Sequence, residues 1–385
     1  MSDMGFLVQA SALDRLEPSV MVSIWSAVLA PLILTSTGKL VPVSTTVSVD
    51  GKPVVVKYVK APLKDWEPKV ALAKGKLGAI DSLGTIAKDA GAVAAINGCF
   101  FDAYSNLPYR NADQTLILDG KFVHLGRVGT VLGFTSDPTE WIMEPARWSI
   151  RGTWNGSFDR GWYATWVNRA PTTNTGAYLF TPSWQGTPKF EGYRIVVQDK
   201  QVVRVGGPAE PAPPNGFVLV LTGEERAMAK RFRVGDVVDY TMRLEQGTNS
   251  GFWNRVITAI GCGPRLVRDG KVELDMESEG FKSPKILTQS AARSAVGLTA
   301  KGEIYFIITT TTMKGLATVM QSLGCKDAMN LDGGASSGFI VGGKTVRAAG
   351  RKVSNALVLV PRQTSLLGGI SLLGSPGVSP GEPRR

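Results

Sequence analysis

The segment Asn330-Leu331-Asp332-Gly333-Gly334-Ala335-Ser336-Ser337 places an amide, a carboxylate, two glycines and two hydroxyls within eight residues. A carboxylate so placed could transfer a proton or attack a substrate. Paired glycines occur where the backbone bends with positive φ or where a ligand comes close. Three other Asp-Gly pairs act as a control. Asp50-Gly51, Asp119-Gly120 and Asp269-Gly270 are each followed by lysine between apolar runs, the pattern of ordinary hairpins. Asp332-Gly333 is followed by Gly-Ala-Ser-Ser and preceded two residues earlier by Asn330, which points to an active-site edge.

A shorter version of this pattern ends at Asn97-Gly98-Cys99-Phe100-Phe101-Asp102. Each copy runs from helix to glycine, small-residue strand and asparagine, with an aspartate soon after. If both strands share one sheet, Asp102 and Asp332 could converge with Asn97 and Asn330, an inventory suited to a sugar leaving group. Arg293 lies among small residues that leave its guanidinium room, and a planar fork suits phosphate or carboxylate. The single histidine, His124, sits in a strand pattern. That excludes a His-rich two-metal phosphodiesterase site, and it excludes a Ser-His-Asp triad unless His124 serves. Walker and dinucleotide fingerprints are absent, so carboxylate chemistry is what is left.

The elements that must position these groups are legible in part. Asp81 is expected to cap a helix carrying Leu83, Ile86, Ala87 and Ala90 and ended by Gly91. Ile304–Ile308 is apolar on both faces, as a central strand requires. Met313–Leu323 follows with one apolar helical face and Gly324 as its stop. The short strand Ala328–Leu331 comes next. This strand-helix-strand run predicts two parallel strands whose carboxyl ends share an edge, gathering Thr309, Thr310, Thr311 and Thr312 with Asp332–Ser337. The expected fold is α+β: a mixed β-sheet core with packed helices, a βαβ unit near the C-terminus, and a β-rich insertion over residues 141–250. That insertion holds six of the nine tryptophans and proline-rich connectors. Its aromatics could stack on sugar rings or pack a core.

Composition narrows the class. The chain has 385 residues and a net charge of +11, with its basic residues dispersed. This excludes a nucleic-acid-binding tail and suits an acidic substrate or an anionic cell surface as well as plain solubility. Cys99, Cys262 and Cys325 are too few for a disulfide scaffold or a multi-cysteine zinc site. Cys99 and Cys262 lie in glycine-flanked loops that could be bridged, or all three could be buried and reduced. Pro18 to Gly38 carries no charge. It reads as an export signal, a membrane anchor or a buried strand, with no basic flank upstream. The expected organisation is a signal, anchor or flexible segment at 1–39, a folded domain at 40–362 and a disordered tail at 363–385.

At these residues the sequence resembles the phosphodiester glycosidases. The matching pieces are Ile96–Asp102, Gly263-Pro264-Arg265-Leu266-Val267, Ala292-Arg293-Ser294-Ala295-Val296-Gly297, Asn330–Ser337 and Val353-Ser354-Asn355-Ala356. The resemblance implies hydrolysis of a sugar-1-phosphodiester at the anomeric carbon, releasing free sugar and a phosphomonoester. It implies Arg293 as the phosphate holder and Asp102 and Asp332 as acid/base or nucleophile. Asn97, Gly98, Arg265, Thr310, Asn330, Gly333, Gly334, Ser336 and Ser337 would contact substrate. The chain departs from the family at Cys99, where a small residue is usual, at Ala335, where a third glycine is usual, and at Thr310-Thr311, where an Asp-Gly pair is usual. No cofactor is implied; a divalent cation at Asp102 or Asp332 is open, although neither stretch has calcium-loop spacing. The expected setting is cell-envelope or exopolysaccharide material outside the cell, with membrane anchoring through the N-terminal apolar segment as an option. A non-catalytic glycan- or wall-binding protein and a phosphodiesterase that breaks the P–O bond are the alternatives.

Overall fold

The computed structural model describes residues 38–363. The tail after Gln363 lies outside them, as does the apolar N-terminal stretch up to Thr37. Among the described residues no helix is long and apolar enough to cross a membrane. The option of an N-terminal membrane anchor is therefore corrected: nothing described supports it.

The fold is mostly β, which corrects the helix-packed α+β expectation. Two α-helices of more than four residues occur among the described residues, Leu83–Asp89 and Met313–Ser322. Five sheets carry the rest. The physical reason is in the turns. Asp50-Gly51, Asp119-Gly120 and Asp269-Gly270 all have φ between 47° and 76° at both residues, the geometry that folds a strand back on its neighbour within two residues. Strands so connected need no helical crossover.

Two sheets frame the candidate site described below. One has seven strands in the order Val43–Val49, Lys52–Pro62, Glu303–Thr311, Ala291–Leu298, Asp327–Asn330, Arg265–Arg268, Lys271–Val272. The other has five: Lys344–Arg347, Phe339–Val341, Ala94–Asn97, Asn355–Pro361, Trp66–Leu72. Every ladder in both is antiparallel. Glu303–Thr311 and Asp327–Asn330 do run in the same direction, but Ala291–Leu298 lies between them and pairs antiparallel with both. The expected βαβ unit is thus split. Its consequence is local: the amino end of Ala291–Leu298, with Arg293, reaches the same edge as the carboxyl ends of its two neighbours.

Helix Met313–Ser322 packs Leu316, Val319 and Met320 fully buried against Ala295 and Ile307 of the seven-stranded sheet. Each such side chain contributes about 1.5–3 kcal/mol by leaving water. Thr312 caps this helix by accepting the Gly315 amide at 3.1 Å. At the other helix Ser82, not Asp81, is the cap: its hydroxyl accepts the Thr85 amide at 3.0 Å, while Asp81 holds the Ser82 amide. Residues 141–250 build a three-stranded sheet, a five-stranded sheet and a separate core around Trp162, Leu179, Phe217 and Leu219. Trp141–Glu144 belongs elsewhere, pairing with Thr130–Phe134.

Candidate active site

Asp332-Gly333 is not a hairpin. Gly333 has φ −119°, which any residue adopts, and only Gly334 takes the left-handed region at 62°. Gly333 is needed for another reason. A methyl group placed on it would sit 3.0 Å from the Ala292 carbonyl oxygen and 3.8 Å from Arg293 Nη1. Close approach to the Ala292 carbonyl oxygen, rather than a bend, accounts for that glycine.

Asn97 and Asn330 end strands of different sheets, so their convergence is not a shared-sheet effect as the sequence pattern suggested. It is made by bonds between the sheets. Asn97 Nδ2 donates to the Asp332 carbonyl at 2.6 Å, and the Asp332 amide donates to the Gly98 carbonyl at 3.0 Å. Ser294 Oγ and the Gly338 amide donate to Asn97 Oδ1 at 2.7 and 3.1 Å. Asn97 is buried and spends its side chain on holding the Asp332 loop. Asn330 Nδ2 donates to the Gly263 carbonyl at 2.9 Å, while Asn330 Oδ1 and Ser337 Oγ are buried with no hydrogen-bond partner.

The Asp332 carboxyl is raised to about 6. Burial is the main cause and the Asp113 carboxylate adds to it. The Ser336 hydroxyl, the Gly333 amide and the Arg351 guanidinium oppose it. A carboxyl that changes charge near pH 6, close to neutrality, is the property an acid or base catalyst needs. Asp113 and Arg351 carry no sequence signal of their own. Asp113 arrives because its amide bonds to the Phe100 carbonyl at 3.0 Å; Arg351 arrives because the Gly350 amide bonds to the Ala335 carbonyl at 2.7 Å. Burial raises Asp113 as well, and Arg169 opposes while Asp102 adds to the rise. Asp113 thus acts on Asp332, and Asp102 acts on Asp113. Arg351 Nη2 also donates to the Tyr104 hydroxyl at 2.7 Å.

Arg293 is buried, with 3 % of its surface exposed. Its Nε donates to the Thr311 carbonyl at 3.3 Å, and Nη2 donates to the carbonyls of Lys285 and Gln289 at 2.8 and 2.6 Å. A guanidinium has five N–H donors; these bonds use those of Nε and Nη2 and leave Nη1, beside Gly333, without an acceptor among the described residues. Among the described residues no carboxylate forms an ion pair with it. A buried cation with no counter-ion is costly unless something anionic visits.

Other sequence-derived positions go elsewhere. Arg265 pairs with Glu273 and donates to the Met143 carbonyl at 3.2 Å, lining a separate cleft with Trp141 and Lys326. Thr310 is exposed, on the face of its strand opposite Arg293. Thr309 bonds to the Val55 carbonyl at 2.7 Å and Thr312 caps the helix, so the threonine run is largely structural. His124 is buried and pushed down to about 4 by burial, with Nδ1 2.9 Å from the Gln114 carbonyl oxygen. It serves no triad. No group of three or more His, Cys, Asp or Glu is gathered for a metal among the described residues.

Cys99 and Cys262 are free buried thiols, and no bridge joins them. Burial pushes Cys99 up to about 12 and Cys262 upward too. A thiolate is the reactive form, so a thiol reagent should modify none of the three cysteines in the native protein and all three after unfolding. Fast labelling of the native chain at Cys99 or Cys262 would contradict that. Gly98 has its own reason. A Cβ there would lie 1.9 Å from Asn355 Oδ1, which accepts the Cys99 amide at 2.9 Å. Gly98→Ala is expected to cost about 1–3 kcal/mol by overpacking, measured by urea unfolding, whereas Gly270→Ala meets no atom within 4 Å and suffers only the cost of positive φ.

A phosphodiester glycosidase family model matches residues 191–360, a span that contains Arg293, Asp332 and Asn355. Residues 191–360 belong to the phosphodiester glycosidase family. Asn97 and Asp102 lie outside the match, but the strand that ends at Asn97 pairs with two strands inside it, Phe339–Val341 and Asn355–Pro361. A Synechocystis protein of solved structure is similar over 86 % of this chain, with 23 % identity and a TM-score of 0.73. This chain spans 64 % of that protein's length. A Burkholderia pseudomallei protein matches 80 % of this chain and 74 % of its own, with 22 % identity and a TM-score of 0.65. These likenesses show a shared fold. The zebrafish N-acetylglucosamine-1-phosphodiester alpha-N-acetylglucosaminidase catalytic domain, auto-inhibited by its pro-peptide, is more distant, at 13 % identity and a TM-score of 0.45 over 87 % of this chain and 85 % of its own. No curated protein matches the chain.

Proposed function

We propose that the protein hydrolyses sugar-1-phosphodiesters at the anomeric carbon, releasing the free sugar and a phosphomonoester. The observation that carries this reading is Arg293, a buried guanidinium that has, among the described residues, no carboxylate partner and no acceptor for Nη1, beside the loop that bears Asp332. Arg293 holds the phosphate. A phosphate ester departs as an anion, so its departure needs charge neutralisation more than a proton. Asp332, ionised above about pH 6, then serves as the base for water or as the attacking carboxylate. Burial, with Asp113 adding to it, keeps its proton affinity high, and Arg351 supplies a second positive charge near the leaving group. Asn97 fixes the Asp332 loop from the opposite sheet. The partner is a sugar phosphodiester of cell-envelope or exopolysaccharide material, and the Burkholderia relative's description as an exported protein supports an extracellular setting.

The test is hydrolysis of N-acetylglucosamine-1-phospho-alkyl esters and related sugar esters in ¹⁸O-labelled water. Label on the released sugar is the expected result. Label on phosphate would replace this reading with P–O cleavage, and binding of the esters without turnover across the panel would replace it with a glycan-binding role.

A further inference from the structure

The β-rich stretch contains an open cleft of about 830 Å³ lined by Trp154, Asn155, Ser157, Asp159, Arg160, Lys230, Arg231, Arg233 and Asp236. None of these residues belongs to the site built around Asp332. The cleft gathers four cations against two carboxylates, and the carboxylates are occupied otherwise. Asp236 Oδ2 accepts the Arg233 backbone amide at 2.7 Å, and Asp159 Oδ2 accepts the Ser157 hydroxyl at 3.1 Å.

Nearby arginines behave differently. Arg151, Arg204, Arg226 and Arg243 lie in the same stretch of chain, and each has a glutamate within 4.0 Å. Among the described residues Arg160, Lys230, Arg231 and Arg233 have none. Arg231 makes one bond, from Nη1 to the Gly161 carbonyl at 3.3 Å. Like charges set in a concave wall without counter-ions focus a positive potential and concentrate anions there. Trp154 adds a ring. It packs against Phe232 at 4.7 Å between centroids while still lining the cleft, whereas Trp162 and Trp184 are buried. An aromatic face beside cations offers a sugar ring a platform and its charged substituents partners.

We infer that this cleft is a second binding site, which takes a segment of an anionic polysaccharide, with phosphate or carboxylate groups on Arg160, Lys230, Arg231 and Arg233 and a sugar ring against Trp154. The site is independent of whether the Asp332 site turns over phosphodiesters. A polymer held here is anchored to the protein at a point other than the one being cut, which raises its effective concentration at the cutting site.

The experiment is calorimetric titration of the full chain with an oligogalacturonate, a poly(glycerol phosphate) oligomer carrying sugar substituents, neutral dextran, and a DNA oligonucleotide of matched charge. Arg160→Glu/Lys230→Glu is the test variant; among the described residues neither side chain makes a hydrogen bond or ion pair that folding would miss. Lys52→Glu/Lys344→Glu, on two exposed hairpins, is the charge control. The expected result is saturable binding of one or both anionic glycans, none of dextran, and at least tenfold weaker binding in the cleft variant alone, with unchanged melting temperature and unchanged hydrolysis of a small soluble ester. The phosphate and carboxylate arms tell which substituent is read. Absence of glycan binding, equal loss in the control variant, or equally tight DNA binding would each overturn the inference.

Discussion

Asp332→Asn abolishes most turnover while raising the melting temperature near neutral pH. The carboxyl of Asp332 is raised from 3.8 to about 6, chiefly by burial. Between those values the native state binds more protons than the unfolded chain, so stability falls as pH rises through that window. Above about pH 6 the protein carries a poorly solvated charge that costs about 1–3 kcal/mol, reduced because Asp332 is partly exposed. Asparagine keeps the shape, the Gly333 amide contact and much of the loop, and removes the charge. The variant should therefore gain stability over wild type at pH 7.5 and gain nothing at pH 3.5. Thermal melts of both proteins at both values check this; equal melting temperatures at pH 7.5 would mean that the carboxylate is better solvated than its surroundings suggest. Activity moves the other way. Loss of an acid/base group removes about 10²–10⁴-fold, and the rising limb of the wild-type pH–rate profile, centred near 6, disappears from the residual rate. Opposite signs for activity and stability separate a catalytic role from simple unfolding.

Arg293→Lys is the second large effect. Lysine keeps the charge but lacks the fork that bonds three backbone carbonyls and still presents a free Nη1 edge. Loss of a preorganised donor set at developing charge costs about 10²–10³-fold in kcat/KM. The variant has a readout apart from activity. Inorganic phosphate should stabilise the wild type in proportion to the logarithm of its concentration, and that shift should vanish in Arg293→Lys. A retained phosphate shift, or activity within threefold of wild type, would remove Arg293 from the anion site. Arg351→Ala is a useful companion, because Arg351 opposes the rise in the Asp332 carboxyl. Its loss moves the rising limb of the profile to higher pH.

The fold was legible in its parts and misread in its sum. Apolar spacing located both longer helices, and three Asp-Gly pairs located hairpins whose backbone angles match. What the pattern could not supply was proportion. A strand-helix-strand run looks the same whether its strands are neighbours or flank a third, and here Ala291–Leu298 enters from earlier in the chain to separate them. The site followed the same rule. Arg293 and the Asp332 loop stood out because few structural roles need that combination of residue types. Arg265 stood out equally and is occupied by Glu273 and Met143, since a motif gives residue type without giving the partner. Asp113 and Arg351 were invisible, as each sits in an ordinary loop that a backbone bond ties to the Asp332 surroundings.

By itself the sequence determined what depends on neighbours along the chain: turn geometry at each Asp-Gly pair, the glycine-rich loop that is not a hairpin, and a chemistry without histidine. Tertiary structure alone decided what depends on distant neighbours. Asn97 meets Asp332 across 235 residues of chain, Gly333 is required by its close approach to the Ala292 carbonyl, and the Asp332 carboxyl acquires its raised proton affinity from burial and from Asp113. Solvation and long-range fields are set by everything that surrounds a group, and no local pattern encodes them.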